Sequence, residues 1–154
     1  MRTIHTFLRP AAGALLALLL GGCAESATAP ADYALVSLDG GAYFIRQPEK
    51  PGAVMEALFL GQVVKDEAGC LRLQSPADAT VVWPYRSSLG ARDDGLWVVD
   101  AAGKEIGRIG GAFRFGGGEV PFLHEGLGFH EPERSAIHAR CPGRYWIVGE
   151  VLTP

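Results

Sequence analysis

Glycine and proline interrupt this chain so often that strands are expected to be short and helices few. The chain has 21 Gly and 10 Pro among 154 residues. Between these turn residues lie short apolar runs, such as Thr80–Trp83 and Tyr145–Val151. Short runs separated by turn signals are typical of small β-sandwiches and barrels. Because 48% of the residues are hydrophobic and only 20% are charged, the composition excludes an intrinsically disordered chain.

The first 22 residues have the pattern of an export leader. Arg2 and Arg9 give the start a positive charge, and the uncharged apolar run from Ala11 to Leu20 follows. That run is shorter than the roughly 20 apolar residues that a membrane-spanning helix needs. A positive start followed by a short apolar run predicts a secretory signal, which is removed from the mature protein.

The leader ends in four residues that resemble the lipobox of bacterial lipoproteins, namely Leu20-Gly21-Gly22-Cys23. The resemblance implies that the thiol of Cys23 takes a diacylglyceryl group through a thioether. It also implies that Cys23 becomes the new, commonly acylated, amino terminus. Two or more acyl chains hold a protein stably on a membrane. The alternative is an ordinary leader with a cysteine at its end by chance.

The chain is therefore divided into a lipoprotein signal peptide at 1–22, a flexible tether at 23–32 and a β-barrel domain at 33–154. The tether is small and polar, with no periodic apolar face. Loss of the leader removes two arginines and none of the 17 acidic residues, so the mature chain is more acidic than the formal charge of -3. An acidic domain repels phosphate polymers, and nucleic acid is not expected as a partner.

The expected location is the bacterial cell envelope, with the protein held on a membrane by its lipid. Ala24 follows the predicted lipidated cysteine, whereas an Asp there would resemble an inner-membrane retention signal. Where the host has two membranes, we therefore expect the protein on the outer membrane, facing the periplasm.

Cys70 and Cys141 are the two cysteines that remain if Cys23 carries lipid. Export brings them into an oxidising compartment, where disulfides persist. We predict that they pair and close a long loop, which the chain-entropy model values at roughly 4 kcal/mol. Two buried free thiols, or a pair of metal ligands, are the alternatives.

The predicted fold is all-β: a small antiparallel, OB-like barrel of about five or six strands with an added N-terminal hairpin. The hairpin is Tyr33–Gln47, turning at Asp39-Gly40-Gly41. A small antiparallel sheet protects its edges best by closing on itself. The long connection 119–143 precedes the last strand and has room for a short helix within Glu131–Arg140. A small β-sandwich is the alternative.

The chain from Gly69 onward also resembles a group of small, uncharacterised exported bacterial proteins. The matching residues are Gly69-Cys70-Leu71-Arg72-Leu73, Val81-Val82-Trp83-Pro84, Gly116-Gly117-Gly118-Glu119 and Cys141-Pro142-Gly143-Arg144-Tyr145-Trp146-Ile147-Val148-Gly149. The resemblance implies an exported OB-like β-domain with paired cysteines. It also implies structural roles for Trp83 and Trp146, and it supplies no catalytic residues.

A His- and Glu-rich stretch, residues 124–138, is the candidate metal site. It holds His124, His130 and His138 among several glutamates, and imidazole with carboxylate suits zinc or copper. The spacing matches no compact ligand motif, and HExxH is absent. A metal-binding lipoprotein that uses this stretch is therefore the alternative function, and a solvated loop is the simpler interpretation.

No motif in the chain indicates catalysis. The serines lie outside any Gly-x-Ser-x-Gly elbow, and Gly116-Gly117-Gly118 precedes no P-loop lysine and is expected to form a tight bend or bulge. Six aromatic residues are predicted to fill the core rather than to form a binding face: Trp83, Tyr85, Trp97, Phe113, Phe115 and Trp146. We expect no cofactor, no enzymatic activity, and a binding or structural module whose partners are the membrane, through the lipid, and an unknown envelope protein or glycan.

Overall fold

The computed structural model describes residues 34–38, 41–74 and 77–151, except for the side chain of Glu150. The predicted leader, the predicted lipid-attachment residue Cys23 and the predicted tether lie outside the described residues. Within the described part, 49% of the chain forms strands and 10% forms helix. The predicted all-β class is confirmed.

The elements follow one another along the chain with short connections, apart from one long helical segment before the last strand. The strands are β1 (Leu35–Leu38), β2 (Ala42–Arg46), β3 (Ala57–Lys65), β4 (Leu71–Leu73), β5 (Thr80–Trp83), β6 (Ser88–Arg92), β7 (Gly95–Val99), β8 (Glu105–Arg108), β9 (Ala112–Val120) and β10 (Tyr145–Val151). A 3-10 helix (Glu125–Leu127) and an α-helix, α1 (Glu133–Arg140), lie between β9 and β10.

Seven strands form one mixed sheet in the order β1-β2-β5-β10-β9-β3-β4, and β4 also pairs with β5 through Arg72 and Thr80. Strands β1 and β2 form the predicted antiparallel hairpin. The prediction of a wholly antiparallel sheet is wrong, because β5 runs parallel to both β2 and β10. Each parallel pair joins two strands that are far apart in sequence. The chain between them turns back so that both strands run in the same direction.

The three remaining strands form a separate antiparallel sheet, β6-β7-β8. Leu89 and Val98 from this small sheet are buried in the main core, and Leu96 and Ile106 pack against it. Gly107 lies so close to the ring of Phe113 that a Cβ there would be 2.5 Å from a ring carbon. The small sheet therefore covers part of the apolar interior.

The interior of the main sheet is filled by an aromatic cluster, whose members are Phe44, Phe59, Trp83, Phe113, Phe115 and Trp146. Neighbouring ring centroids are 5.1 to 6.0 Å apart, a separation at which aromatic pairs attract one another. Four of the six aromatic residues predicted for the core lie here. Tyr85 and Trp97 are half-buried and lie outside it.

Helix α1 covers the opposite face of the sheet. Its buried residue Ile137 packs in a second core cluster with Val82 and Ile147. Burial raises the pKa of the Tyr145 phenol, so the hydroxyl keeps its proton, and it donates a hydrogen bond to the carbonyl oxygen of Cys141 at 2.9 Å. At the start of the helix, a carboxylate oxygen of Glu133 accepts the backbone N–H of Ala34.

The predicted Cys70–Cys141 disulfide is present, with 5.7 Å between the Cα atoms. It joins the loop before β4 to the end of α1. Arg72 makes a second connection between the same two regions. Its Nε donates to Asp66 Oδ2 at 2.7 Å, and its guanidinium also donates to the carbonyl oxygen of Pro142 at 2.8 Å.

Replacing both disulfide cysteines by alanine is expected to lower the free energy of unfolding by about 2–5 kcal/mol, because the bond closes a loop of 71 residues. Urea unfolding of the Cys70→Ala/Cys141→Ala variant, followed by tryptophan fluorescence, measures the loss. The wild-type protein in a reducing buffer serves as the control and should unfold at a similar urea concentration. Equal stability of the oxidised protein and the variant would contradict the prediction.

Stability is also expected to depend on the ionisation of Asp66. Partial burial acts to raise the pKa of this carboxyl, but hydrogen bonds from Arg72 and from the Cys70 amide outweigh it and hold the pKa below its ordinary value of 3.8. The stabilisation is therefore present above the unfolded-state pKa and is lost as pH falls through the folded-state pKa. Asp66→Asn should cost about 1 kcal/mol at neutral pH. The difference in urea midpoint from wild type should shrink in acid, and a constant difference at all pH values argues against this role.

Candidate functional site

One concavity lies beside the end of β10, and we call it the β10 groove. Its volume is about 340 Å³, within the range of roughly 300–1,000 Å³ that small-molecule sites occupy. It is lined by residues from the segment before β3, the 3-10 helix and β10: Gln47, Glu49, Pro51, Gly52, Ala53, Val54, Met55, Val120, His124, Gly126, Leu127, Ile147, Val148 and Gly149.

The groove opens where β10 loses one of its neighbours. Pairing between β5 and β10 ends at Val82 and Ile147, because β5 itself ends one residue later. Beyond that point the carbonyl oxygen of Val148 accepts a hydrogen bond from Nε2 of the buried Gln47 at 2.6 Å. A side chain therefore replaces the missing strand at one carbonyl, and space remains beside the rest of β10.

Glycines let the segment 51–55 lie directly on the strands. A Cβ on Gly118 would be 2.4 Å from the sulfur of Met55, and one on Gly149 would be 3.2 Å from the Met55 carbonyl oxygen. The predicted bend at 116–118 is wrong, because all three glycines continue β9, but an irregularity of the kind that the predicted bulge would give lies in their pairing with β10. The register irregularity lies on the facing strand, between Val148 and Val151.

Besides Gln47, two polar side chains lie among the apolar lining, Glu49 and His124. Glu49 Oε1 would be 2.9 Å from a Cβ on Gly128, which shows that the carboxylate lies along that part of the backbone. The His124 ring packs edge-on against Phe122, with 6.0 Å between centroids. Glu49 is the one lining residue that carries a formal charge, so the site combines a mostly apolar surface with a single carboxylate.

The three candidate metal ligands do not converge. His124 lines the β10 groove, whereas His138 lines a separate, more open cleft beside α1, and His130 lies exposed on the connection before that helix. Across residues 34–38, 41–74 and 77–151, no three His, Cys, Asp or Glu side chains are grouped so that they could hold a metal ion. Of the predicted metal residues, only His124 therefore belongs to the β10 groove.

Several groups with catalytic potential, among the residues that the structure describes, are engaged in structural bonds. The hydroxyl of Ser87 donates to the Pro84 carbonyl oxygen at 2.6 Å. In the cleft beside α1, hydrogen bonds from Ser135 and Arg134 hold the pKa of the Glu131 carboxyl below its ordinary value. Cys70 and Cys141 are joined to each other and present no thiolate.

Sequence reasoning did not find most of the groove. Residues 48–52 include two prolines and a glycine, and in the sequence this pattern indicates only a break in the chain. Gln47 lies immediately before this break, and Glu49 lies within it. The burial of Gln47 marks the site in the structure, but the sequence does not show it, because it depends on β10 lying beside this residue.

Comparison of this chain with known protein families, with curated proteins and with solved structures found no match. Among the described residues, no helix has both the length and the apolar character needed to cross a membrane.

The close packing beneath the groove leads to a prediction for Gly117. A Cβ there would be 2.2 Å from the Ile147 carbonyl oxygen and 2.6 Å from Nε1 of Trp146. Gly117→Ala must therefore move the backbone of β10, and it should cost about 1–3 kcal/mol of stability. Gly52→Ala is the matched control, because a Cβ at Gly52 meets no atom within 4 Å. Urea unfolding compares the two, and equal losses would refute the packing argument.

Proposed function

We propose that this protein is a lipid-anchored component of the bacterial cell envelope whose β-domain is a non-catalytic binding module. The observation that carries the binding role is the β10 groove, a concave and mostly apolar site on a domain held by a disulfide and two packed core clusters. Small-molecule sites have this character: an apolar lining with a few placed polar groups. The partner class is an envelope component, whether a protein, a glycan or a smaller molecule.

The proposal of an anchored location rests on the leader pattern and on Cys23. The tether at 23–32 spans at most about 35 Å when fully extended, so the domain stays near the membrane that holds the lipid. The Cys70–Cys141 disulfide supports an oxidising compartment. In a host with two membranes we place the anchor in the outer membrane, with the domain facing the periplasm.

We also propose that five strands form an OB-like barrel. The pairing order β3-β4-β5-β10-β9 returns to β3, and the contact of Arg72 with Thr80 supplies the step from β4 to β5. The hairpin β1–β2 then pairs with the part of the β5 edge that β4 leaves free, at Val82 and Trp83. The alternative small β-sandwich would have no pairing between β4 and β5.

We do not propose that this protein binds a metal ion through its histidines. The metal-binding alternative depended on a convergence of His124, His130 and His138, and within the described chain these residues do not meet. The proposal that the domain is non-catalytic rests on the sequence, which has no nucleophile elbow and no P-loop.

The anchor is tested by expressing the full chain in a Gram-negative bacterium fed with labelled palmitate. We expect label on the protein, which should sediment with membranes, because Cys23 is acylated after the leader is cut. Cys23→Ser is the control and should lose both the label and the membrane association. Release of an unlabelled, soluble protein by the wild-type chain would overturn the anchored location.

A further inference from the structure

We propose that the β10 groove binds a small cationic amphiphile, a molecule with an apolar body and one protonated amine. This inference rests on the proposed binding function and assigns the class of ligand to that site. It joins two features of the same cavity: a floor of carbon atoms and a single carboxylate at its rim.

The floor would receive the apolar body of the ligand. Met55, Val120, Leu127 and Ile147 contribute apolar side chains from four different parts of the chain. Val54 also lines the groove, and 55% of its surface is exposed. Covering such carbon surface removes it from water, which favours binding in proportion to the apolar area covered.

Glu49 would receive the amine. Within the described part of the chain its carboxylate makes no ion pair, so an amine that binds it displaces no cation of that part. Residues 47–56 and 124–127, which supply most of the lining, carry three carboxylates and one ammonium, namely Glu49, Glu56, Glu125 and Lys50. The local charge therefore attracts cations and repels anions.

A neutral glycan fits this site less well. Sugar hydroxyls need several hydrogen-bonding side chains, and the lining offers three: Gln47, Glu49 and His124. Of these, the amide nitrogen of Gln47 already donates to the Val148 carbonyl oxygen. The remaining surface is mostly carbon, which an alkyl or aryl group covers and a sugar does not.

The test compares three probes that share one alkyl chain: hexylamine, hexanol and hexanoate. The protein is used as the cell processes the full chain. If it carries lipid, it is placed in nanodiscs, and empty nanodiscs are the control for partition of the probes into lipid. Methyl NMR signals of Val54, Met55 and Ile147 report on the groove. We expect hexylamine to bind there about 1.4-fold to fivefold more tightly than hexanol, which is the range of an exposed charge pair, and hexanoate to bind most weakly.

Two substitutions separate the contribution of charge from that of the apolar floor. Glu49→Gln should remove the preference for the amine while hexanol binding persists, and Glu67→Gln is the matched control, an exposed carboxylate outside the groove. Ala53→Phe, at an exposed lining position, should fill the groove and weaken all three probes. Neither position is in a core cluster, so the fold should be retained, as unchanged urea unfolding would show.

Equal binding of hexylamine and hexanol, or an amine preference that survives Glu49→Gln, would overturn the inference. Tighter binding of hexanol or hexanoate in the groove would also overturn it and would leave the binding module intact. If none of the three probes moves the groove signals at millimolar concentration, both the ligand class and the groove as a binding site are rejected. Palmitate labelling at Cys23 is independent of every one of these results.

Discussion

Strand β5 is paired on both edges and buried on both faces, and the rest of the structure is arranged around it. One edge pairs with β10, while the other pairs first with β4 and then with β2. All four residues of the strand are buried. Val81 and Trp83 face the aromatic interior, and Val82 faces the cluster beneath α1. A strand of this kind is mostly apolar, as are three of the four residues here, Val81, Val82 and Trp83. Because β5 is only four residues long, its end leaves part of β10 uncovered, and the groove forms at that point.

The sequence predicted those features that depend on local composition. The apolar run Tyr145–Val151 is β10 as predicted, α1 lies within the predicted helical stretch, and the two cysteines outside the leader are paired. Strand β6 was missed because Ser88–Arg92 shows no clear alternation and gains its place by pairing with β7. The parallel pairs could not be predicted, since they depend on which strands meet across the sheet. The glycines at 116–118 were identified as special, but the reason lies in Met55 and β10, which are distant in sequence.

The histidines illustrate how far composition can be used to infer a site. The three histidines after the predicted leader all lie in one connection, yet His124 lines the β10 groove and His138 lines the cleft beside α1. Residues that are close in sequence were thereby separated. Conversely, one cavity is lined by separate parts of the chain: Gln47 and Met55 lie before β3, Leu127 lies in the 3-10 helix, and Val148 lies in β10. A metal ion needs ligands that converge within a few ångströms, and clustering along the chain does not provide that convergence.

The hydrogen bond between the Ala34 N–H and the Glu133 carboxylate ties the start of the described chain to the start of α1. A pull on the preceding segment reaches Ala34 first, and its N–H is held by a residue at the start of α1. The far end of that helix is linked covalently, through Cys141, to the loop before β4. Tension on that segment would pass along the backbone into β1 and, through the hydrogen bond to Glu133, into α1 and the disulfide. No residue of β1 or α1 lines the β10 groove, so such a load would reach the domain away from its concave site.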